Sequence, residues 1–343
     1  MPEAIIAGAI RTVESVPLPD TVVRLGVQSL ISTRYRFHQP CPEVERAFAN
    51  DMRGHSVALH TDAANEQHYE LPADFFGLTL GPHRKYSCCY YANGTESLAE
   101  AEAAALAITA ERAALSDGQR ILELGCGWGS LTLYMAARYP NAEIIAVSNS
   151  IGQRRYIEET AVARGLLNIR VITCEMNVFQ PEGRFDRIVS VEMFEHMSNW
   201  EALLFKVRGA LAANGRFFMH VFAHRTTPYR FDHKDPTDWI GRHFFTGGIM
   251  PSDGLIRQFS ALMQVEDEWR WSGTHYARTA AQWIENFDRN EAQIERILNA
   301  IYGPKAALWK RRWRLFFLAT EGLFGHANGA QWGVKHFRLR PAL

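Results

Sequence analysis

Arg120-Ile-Leu-Glu-Leu-Gly-Cys-Gly-Trp-Gly129 is the stretch that decides the fold. A short apolar run ends in Gly-x-Gly-x-Gly, and a helical pattern from Leu131 to Arg138 follows at once. Glycines at such a turn remove the Cβ atoms that would hold a ligand off, and the N–H groups at the helix start face that ligand. Working outward, further strands are expected at Glu143 to Val147, Ile169 to Thr173, Phe185 to Val191 and Arg216 to Phe222. Helical patterns lie between them at Gly152 to Arg164 and Trp200 to Ala212, with Asn214-Gly215 closing the second. Apolar strands alternating with helices specify a doubly wound, Rossmann-like α/β sheet covered on both faces.

The flanks read differently. Residues 1–85 form an N-terminal helical extension, with helical spacing over Val22 to Tyr35 and Pro42 to Gly54 and a connector from Tyr69 to Phe76. Lys85 to Tyr91 is short and β-rich, and Asn93-Gly94 marks a turn. Thr95 is placed to cap a long Ala/Glu-rich helix from Ser97 to about Ala114. Residues 86–224 are the cofactor-binding core. Residues 225–343 are an aromatic-rich substrate lid followed by the last strands, with Trp332 to Leu339 returning to the sheet.

The totals set outer limits. Of 343 residues, 47% are hydrophobic, enough for a sizeable core. Lys plus Arg and Asp plus Glu balance at 37 each, which gives no electrostatic reason for a nucleic-acid partner. The five cysteines form no CxxC pair, so neither a disulfide framework nor a zinc site is expected, and free thiols fit a cytoplasmic protein. The apolar run Ala4 to Ile10 lacks a basic flank and is not a signal peptide. No run approaches the ~18 apolar residues that cross a bilayer, which leaves peripheral membrane contact at most. His220 and His224 fall at a strand end, so no metal site is expected there.

Three details of the glycine turn favour S-adenosylmethionine (SAM) over a nicotinamide cofactor. Glu123 stands two residues before Gly125, facing the charged end of SAM. The spacing Gly125, Gly127, Gly129 is GxGxG rather than GxGxxG, and a long region precedes it. The second strand ends Val147-Ser-Asn-Ser150 without a ribose acid, leaving Ser148, Asn149 and Gln153 as candidates for the hydroxyls. Glu175 and Met176 are placed for the adenine. Tyr86, Ser87 and Val191 complete the expected cofactor set.

Four segments carry a family resemblance: Tyr86-Ser-Cys-Cys-Tyr90, Ile121 to Gly129, Glu192-Met-Phe-Glu-His-Met197 and Phe245-Thr-Gly-Gly-Ile-Met-Pro-Ser252. On these the chain from about residue 65 onward resembles the cyclopropane fatty acid synthase superfamily. Within it the chain is most similar to the coclaurine N-methyltransferase branch, on Tyr69-Glu-Leu-Pro72, Cys88-Cys89, Tyr156-Ile-Glu-Glu159, Trp271-Ser-Gly-Thr-His275 with Ala277-Arg-Thr279, and Glu321 to Gly329. The resemblance implies a class I SAM-dependent methyltransferase with a seven-stranded sheet, SAM as donor and S-adenosylhomocysteine as product. In the N-methyltransferase branch it places Glu195 and His196 at the substrate amine. In the cyclopropane branch it implies a bicarbonate base, with Cys88, Glu195, His220 and Tyr276 at the matching positions. Phe is usual among the N-methyltransferases where this chain has Tyr276.

The chemistry frames two acceptors. An ammonium has no lone pair, so an amine must lose a proton, and a His just beyond a strand end suits a general base. An alkene would instead need a base to take a proton from the newly added methyl. N-methylation of a small apolar or aromatic amine is the expected activity, with methylene or methyl transfer to unsaturated acyl lipid as the alternative. A homodimer is compatible with either. Trp309 to Phe317 mixes basic and aromatic residues, as a lipid-facing helix or as one packing its rings inward.

Overall fold

The computed structural model describes residues 3–34, 42–59 and 71–342. Cys41, Tyr35 and the Tyr69-Glu70 part of the expected connector lie outside them. Helices α1 (Glu3–Ser15), α2 (Asp20–Arg34), α3 (Pro42–Met52) and α4 (Ala73–Thr79) come first. Then follow α5 (Leu98–Arg112), β1 (Arg120–Leu124), α6 (Ser130–Arg138), β2 (Glu143–Ser148), α7 (Ile151–Ala163), β3 (Ile169–Thr173) and β4 (Phe185–Val191). Beyond them lie α8 (Trp200–Ala210), β5 (Leu211–His224), β6 (Tyr229–Arg230), α9 (Trp239–His243) and β7 (Ile249–Met250). The chain closes with β8 (Met263–Ser272), α10 (Gly273–Arg289), α11 (Glu291–Tyr302), α12 (Ala306–Gly325) and β9 (Trp332–Pro341).

Seven strands form one sheet in the order β3-β2-β1-β4-β5-β9-β8. The first five are parallel, and β9 pairs antiparallel with both β5 and β8. The order reverses beside β1, so the carboxyl ends of β1 and β4 open the crevice where α/β sheets take ligands. This is the Rossmann-like class I methyltransferase fold.

Three expectations change. The helix α5 is capped by Ser97, not Thr95: Ser97 Oγ accepts from Glu100 N while Glu100 bonds back to Ser97 N, a reciprocal box that Thr95 cannot offer. Lys85 to Tyr91 forms no strand. It is an extended strap fixed by side chains, since the backbone N–H of Lys85 and His83 bond the buried carboxylate of Glu102. Strand β8 falls inside the stretch expected as lid, where three consecutive acids, Glu266-Asp-Glu268, break the apolar alternation that marks a strand.

Helix α12 settles the Trp309 to Phe317 stretch. Trp313, Phe316 and Phe317 are buried, and Trp313 packs on Phe75, Phe76 and Phe244. The arginines on the other face meet protein rather than lipid. Arg312 pairs with Glu14 at 2.8 Å, Arg314 with Asp20, and Glu321 with Arg24 at 3.0 Å. Helices α1 and α2 thus clasp the outer face of α12. No helix among the described residues is long and apolar enough to cross a membrane.

Candidate active site

A cavity of about 210 Å³ opens at the carboxyl ends of β1 and β4. One half is walled by the glycine turn. Gly125, Gly127 and Gly129 have φ of +80°, +50° and +78°. A Cβ on Gly125 would meet Met193 at 2.5 Å, and one on Gly129 would meet Ile157 at the same distance. Left-handed backbone and close approach both require glycine there. Glu123 is buried beneath the turn, accepting a 2.5 Å bond from Thr132 Oγ1, and burial lifts its carboxyl to about 7. Ser148 Oγ donates to Gln153 Oε1 at 2.6 Å, and Gln153 Nε2 is buried with no partner among the described residues. Asn149, Glu175, Met176, Tyr86, Ser87 and Val191 line the same cavity. A ribose hydroxyl is the kind of acceptor that orphan amide needs. Together the left-handed cradle, the buried acid and the orphan donor fit SAM.

The other half holds the expected acceptor residues, but their centre is a residue that the sequence reading did not single out. Glu192 follows β4 with φ of +47°, a left-handed conformation that is strained for glutamate. The turn carries its side chain, 7% exposed, between three elements. The backbone N–H of Cys88 donates to Oε1 at 2.8 Å, His220 Nε2 meets the same oxygen at 3.0 Å, and Tyr276 donates to Oε2 at 2.6 Å. Three of the four residues matched to a bicarbonate cage therefore converge on the protein's own carboxylate. The fourth, Glu195, is turned aside and accepts from Phe222 N at 2.6 Å. It sits in a single 3-10 turn, Phe194–His196, so it caps no long helix. The signal for Glu192 was available: an acid immediately after β4 at the ligand edge of the sheet.

Electrostatics sorts these groups. Burial and the negative charge of Glu192 push Glu195 well above the usual carboxylate range. Burial, then the charges of Lys85 and Arg112, hold His220 far below its usual value, so it is a neutral donor to Glu192. Burial drives the Cys88 thiol and the Tyr276 phenol well up. Glu192 is itself raised by burial, opposed by Lys85, Tyr276 and Cys88. Of the two carboxyls Glu192 is the one better placed to ionise, because Lys85, Tyr276 and Cys88 oppose the effect of burial there, whereas the charge of Glu192 adds to it at Glu195.

His196 lines the cavity, stacked on Phe245 with ring centroids 4.8 Å apart. Phe222 and Phe231 pack on Phe245, and Phe324 stacks on Tyr276 at 4.4 Å. Cys88, Glu195 and His220 lie behind the wall rather than on it. The result is an aromatic chamber with the Glu192 carboxyl on its wall, beside the cofactor half.

Comparison with known proteins gives this arrangement a class and a family. The chain is 33% identical to (S)-coclaurine N-methyltransferase of Thalictrum flavum subsp. glaucum, over 97% of this chain and 95% of that one. It is 30% identical to cyclopropane-fatty-acyl-phospholipid synthase of Escherichia coli K12, over 74% of this chain and 66% of that one. A crystal structure of coclaurine N-methyltransferase bound to N-methylheliamine and S-adenosylhomocysteine superimposes with a TM-score of 0.93 at 31% identity, covering 98% and 99% of the two chains. The protein is a SAM-dependent methyltransferase. It belongs to the family described as mycolic acid cyclopropane synthetase, whose model matches residues 58–329. The likeness to the Thalictrum protein extends through the N-terminal helices, well before residue 65.

Proposed function

We propose that this enzyme N-methylates a small, apolar, aromatic amine of the tetrahydroisoquinoline kind. The observation that carries the reading is Glu192. Its carboxylate takes the donors of Cys88, His220 and Tyr276, which an inorganic anion would otherwise need, and it gives an aromatic chamber one negative point. An ammonium is attracted there by charge and by the faces of the surrounding rings. The names of the Thalictrum relative and of the N-methylheliamine complex support the same acceptor class.

Bound SAM would supply an electrophilic methyl, passed to nitrogen as the sulfur–carbon bond breaks and the nitrogen–carbon bond forms. The chain's own residues prepare the nitrogen. Glu192 holds the ammonium, His196 on the cavity wall receives its proton, and the lone pair is freed for in-line attack. Glu195, anchored on Phe222 N, fixes the turn that carries His196. Phe245 sets the plane of the imidazole, and the aromatic walls exclude water. With Glu192 in place the reaction needs no bicarbonate. The free thiols of Cys88, Cys89, Cys126 and Cys174 support a cytoplasmic setting.

The test is release of S-adenosylhomocysteine with two substrate panels, tetrahydroisoquinoline-type amines and unsaturated phospholipid vesicles, each with and without added bicarbonate. Turnover of amines at the same rate in both buffers is the expected result. Turnover of vesicles alone would overturn the reading.

A further inference from the structure

Lys85 has no part in the mechanism so far, yet its side chain lies at the heart of the site. The residue is 3% exposed. Its ammonium donates to Ser87 Oγ and, at 2.6 Å, to the carbonyl of Cys88. No carboxylate lies within ion-pair reach of it among the described residues. A buried ammonium without an adjacent anion is costly, so one retained in a core calls for a reason.

The reason is two bonds away. Lys85 grips the carbonyl of Cys88, and the N–H of the same residue points at Glu192 Oε1 at 2.8 Å. The strap is tied at its other end as well, through Glu102 to the backbone N–H of His83 and Lys85. Gly81, four residues before the strap, passes so close to Glu102 that a Cβ there would meet its carboxylate at 2.4 Å. Among the described residues, the donors that touch Glu192 are neutral: a backbone amide, an imidazole and a phenol. The positive charge that balances this buried anion comes from one residue further out.

We propose that Lys85 is a positioning residue for amine methylation: its buried ammonium sets the amide of Cys88 on Glu192 and keeps that carboxylate ionised, so that the chamber receives a cationic acceptor. This rests on the amine reading above. The groups facing Glu192 are Lys85 and Cys88 from the strap, His220 from β5, Tyr276 from α10 and Glu195 from the turn after β4. Lys85 is the member of that set carrying positive charge, and the direction of its influence on Glu192 agrees.

The experiment uses the full chain as wild type, Lys85→Met, Lys85→Gln, Glu192→Gln and the double variant Lys85→Met/Glu192→Gln. The Glu192 carboxyl is followed by ¹³C NMR titration, assigned by its loss in Glu192→Gln. The kcat/KM for a tetrahydroisoquinoline is measured from about pH 6 to about pH 10. In both Lys85 variants the Glu192 midpoint and the acid limb of kcat/KM are expected to rise by roughly one pH unit or more, since losing a nearby cation favours the protonated acid. Lys85→Gln keeps a donor for the Cys88 carbonyl, so it separates charge from folding if Lys85→Met is unstable. In the Glu192→Gln background, Lys85→Met is expected to cost less than about threefold further, because its target is already neutral. An unchanged Glu192 midpoint, or losses that multiply in the double variant, overturns the role of Lys85. A wild-type enzyme that leaves amines untouched while the midpoint still moves defeats the substrate reading alone.

Discussion

The two halves of the cavity are built in opposite ways. The cofactor half comes mostly from one run of chain, residues 123–176, in which each strand end hands directly to the next helix. The acceptor half gathers Cys88 from the strap, Glu192 and His196 from beyond β4, His220 from β5, Tyr276 from α10 and Phe324 from α12. One is a local turn geometry repeated along a sheet edge. The other is a convergence of side chains from elements far apart along the chain. A site for a common cofactor can be fixed by backbone, whereas a site for a particular acceptor is made by side chains that tertiary packing delivers.

Variants that touch one half alone test this division. The largest expected effect is His196→Ala, with kcat for an amine falling ~10²–10⁴-fold while SAM affinity by calorimetry stays put. Loss of SAM binding along with activity would show the halves to be coupled. On the cofactor side, Glu123 rests at about 7 and must ionise to meet a cationic ligand. Its pKa is raised, so the carboxylate is lost as pH falls. SAM binding should weaken about tenfold for each pH unit below that value, approaching ~100-fold at two units, with proton release on binding. A flat profile in buffers of different ionisation enthalpy would remove Glu123 from the site. A smaller effect is expected of Gly129→Ala. The variant combines left-handed strain of about 1–2 kcal/mol with a contact on Ile157, and the SAM Kd should rise roughly tenfold with little change in the amine KM. The smallest is Tyr276→Phe, which takes one of three donors from Glu192. Activity on amines should persist at roughly a third to a tenth, about 1 kcal/mol of lost hydrogen bonding. Abolition would point instead to a direct role for the phenol.

The sequence was most readable where neighbours along the chain do the work. The strands from Arg120 to Val191 agree with expectation to within a residue, because apolar runs bounded by glycine turns have few alternatives. The strand after Asn214-Gly215 begins earlier than expected, at Leu211, since Phe185 pairs with it across a bulge. Strand β8 stayed hidden because it is paired only along one side and its acids find their partners, Arg216, Lys335 and Arg338, far away along the chain. Cys88, His220 and Tyr276 could be named from resemblance, but that they close on Glu192 rather than Glu195 depends on a left-handed turn of one residue. No period or composition announces such a turn in a glutamate. Lys85 was equally silent, since a lysine beside His83 and Arg84 gives no sign in the sequence that it will be buried.

Helix α12 has a consequence that reaches the amino terminus. Its inner face, at Phe316, Thr320 and Phe324, walls the acceptor chamber, while its outer face is held by Glu14, Asp20 and Arg24. A guest that fills the chamber stabilises the seat of α12 by mass action, and with it everything buckled to the far side. The Val16 to Pro19 junction between α1 and α2 then becomes a clock: a protease added to the enzyme should cut there more slowly as acceptor concentration rises, and the delay would measure occupancy without any chemistry taking place.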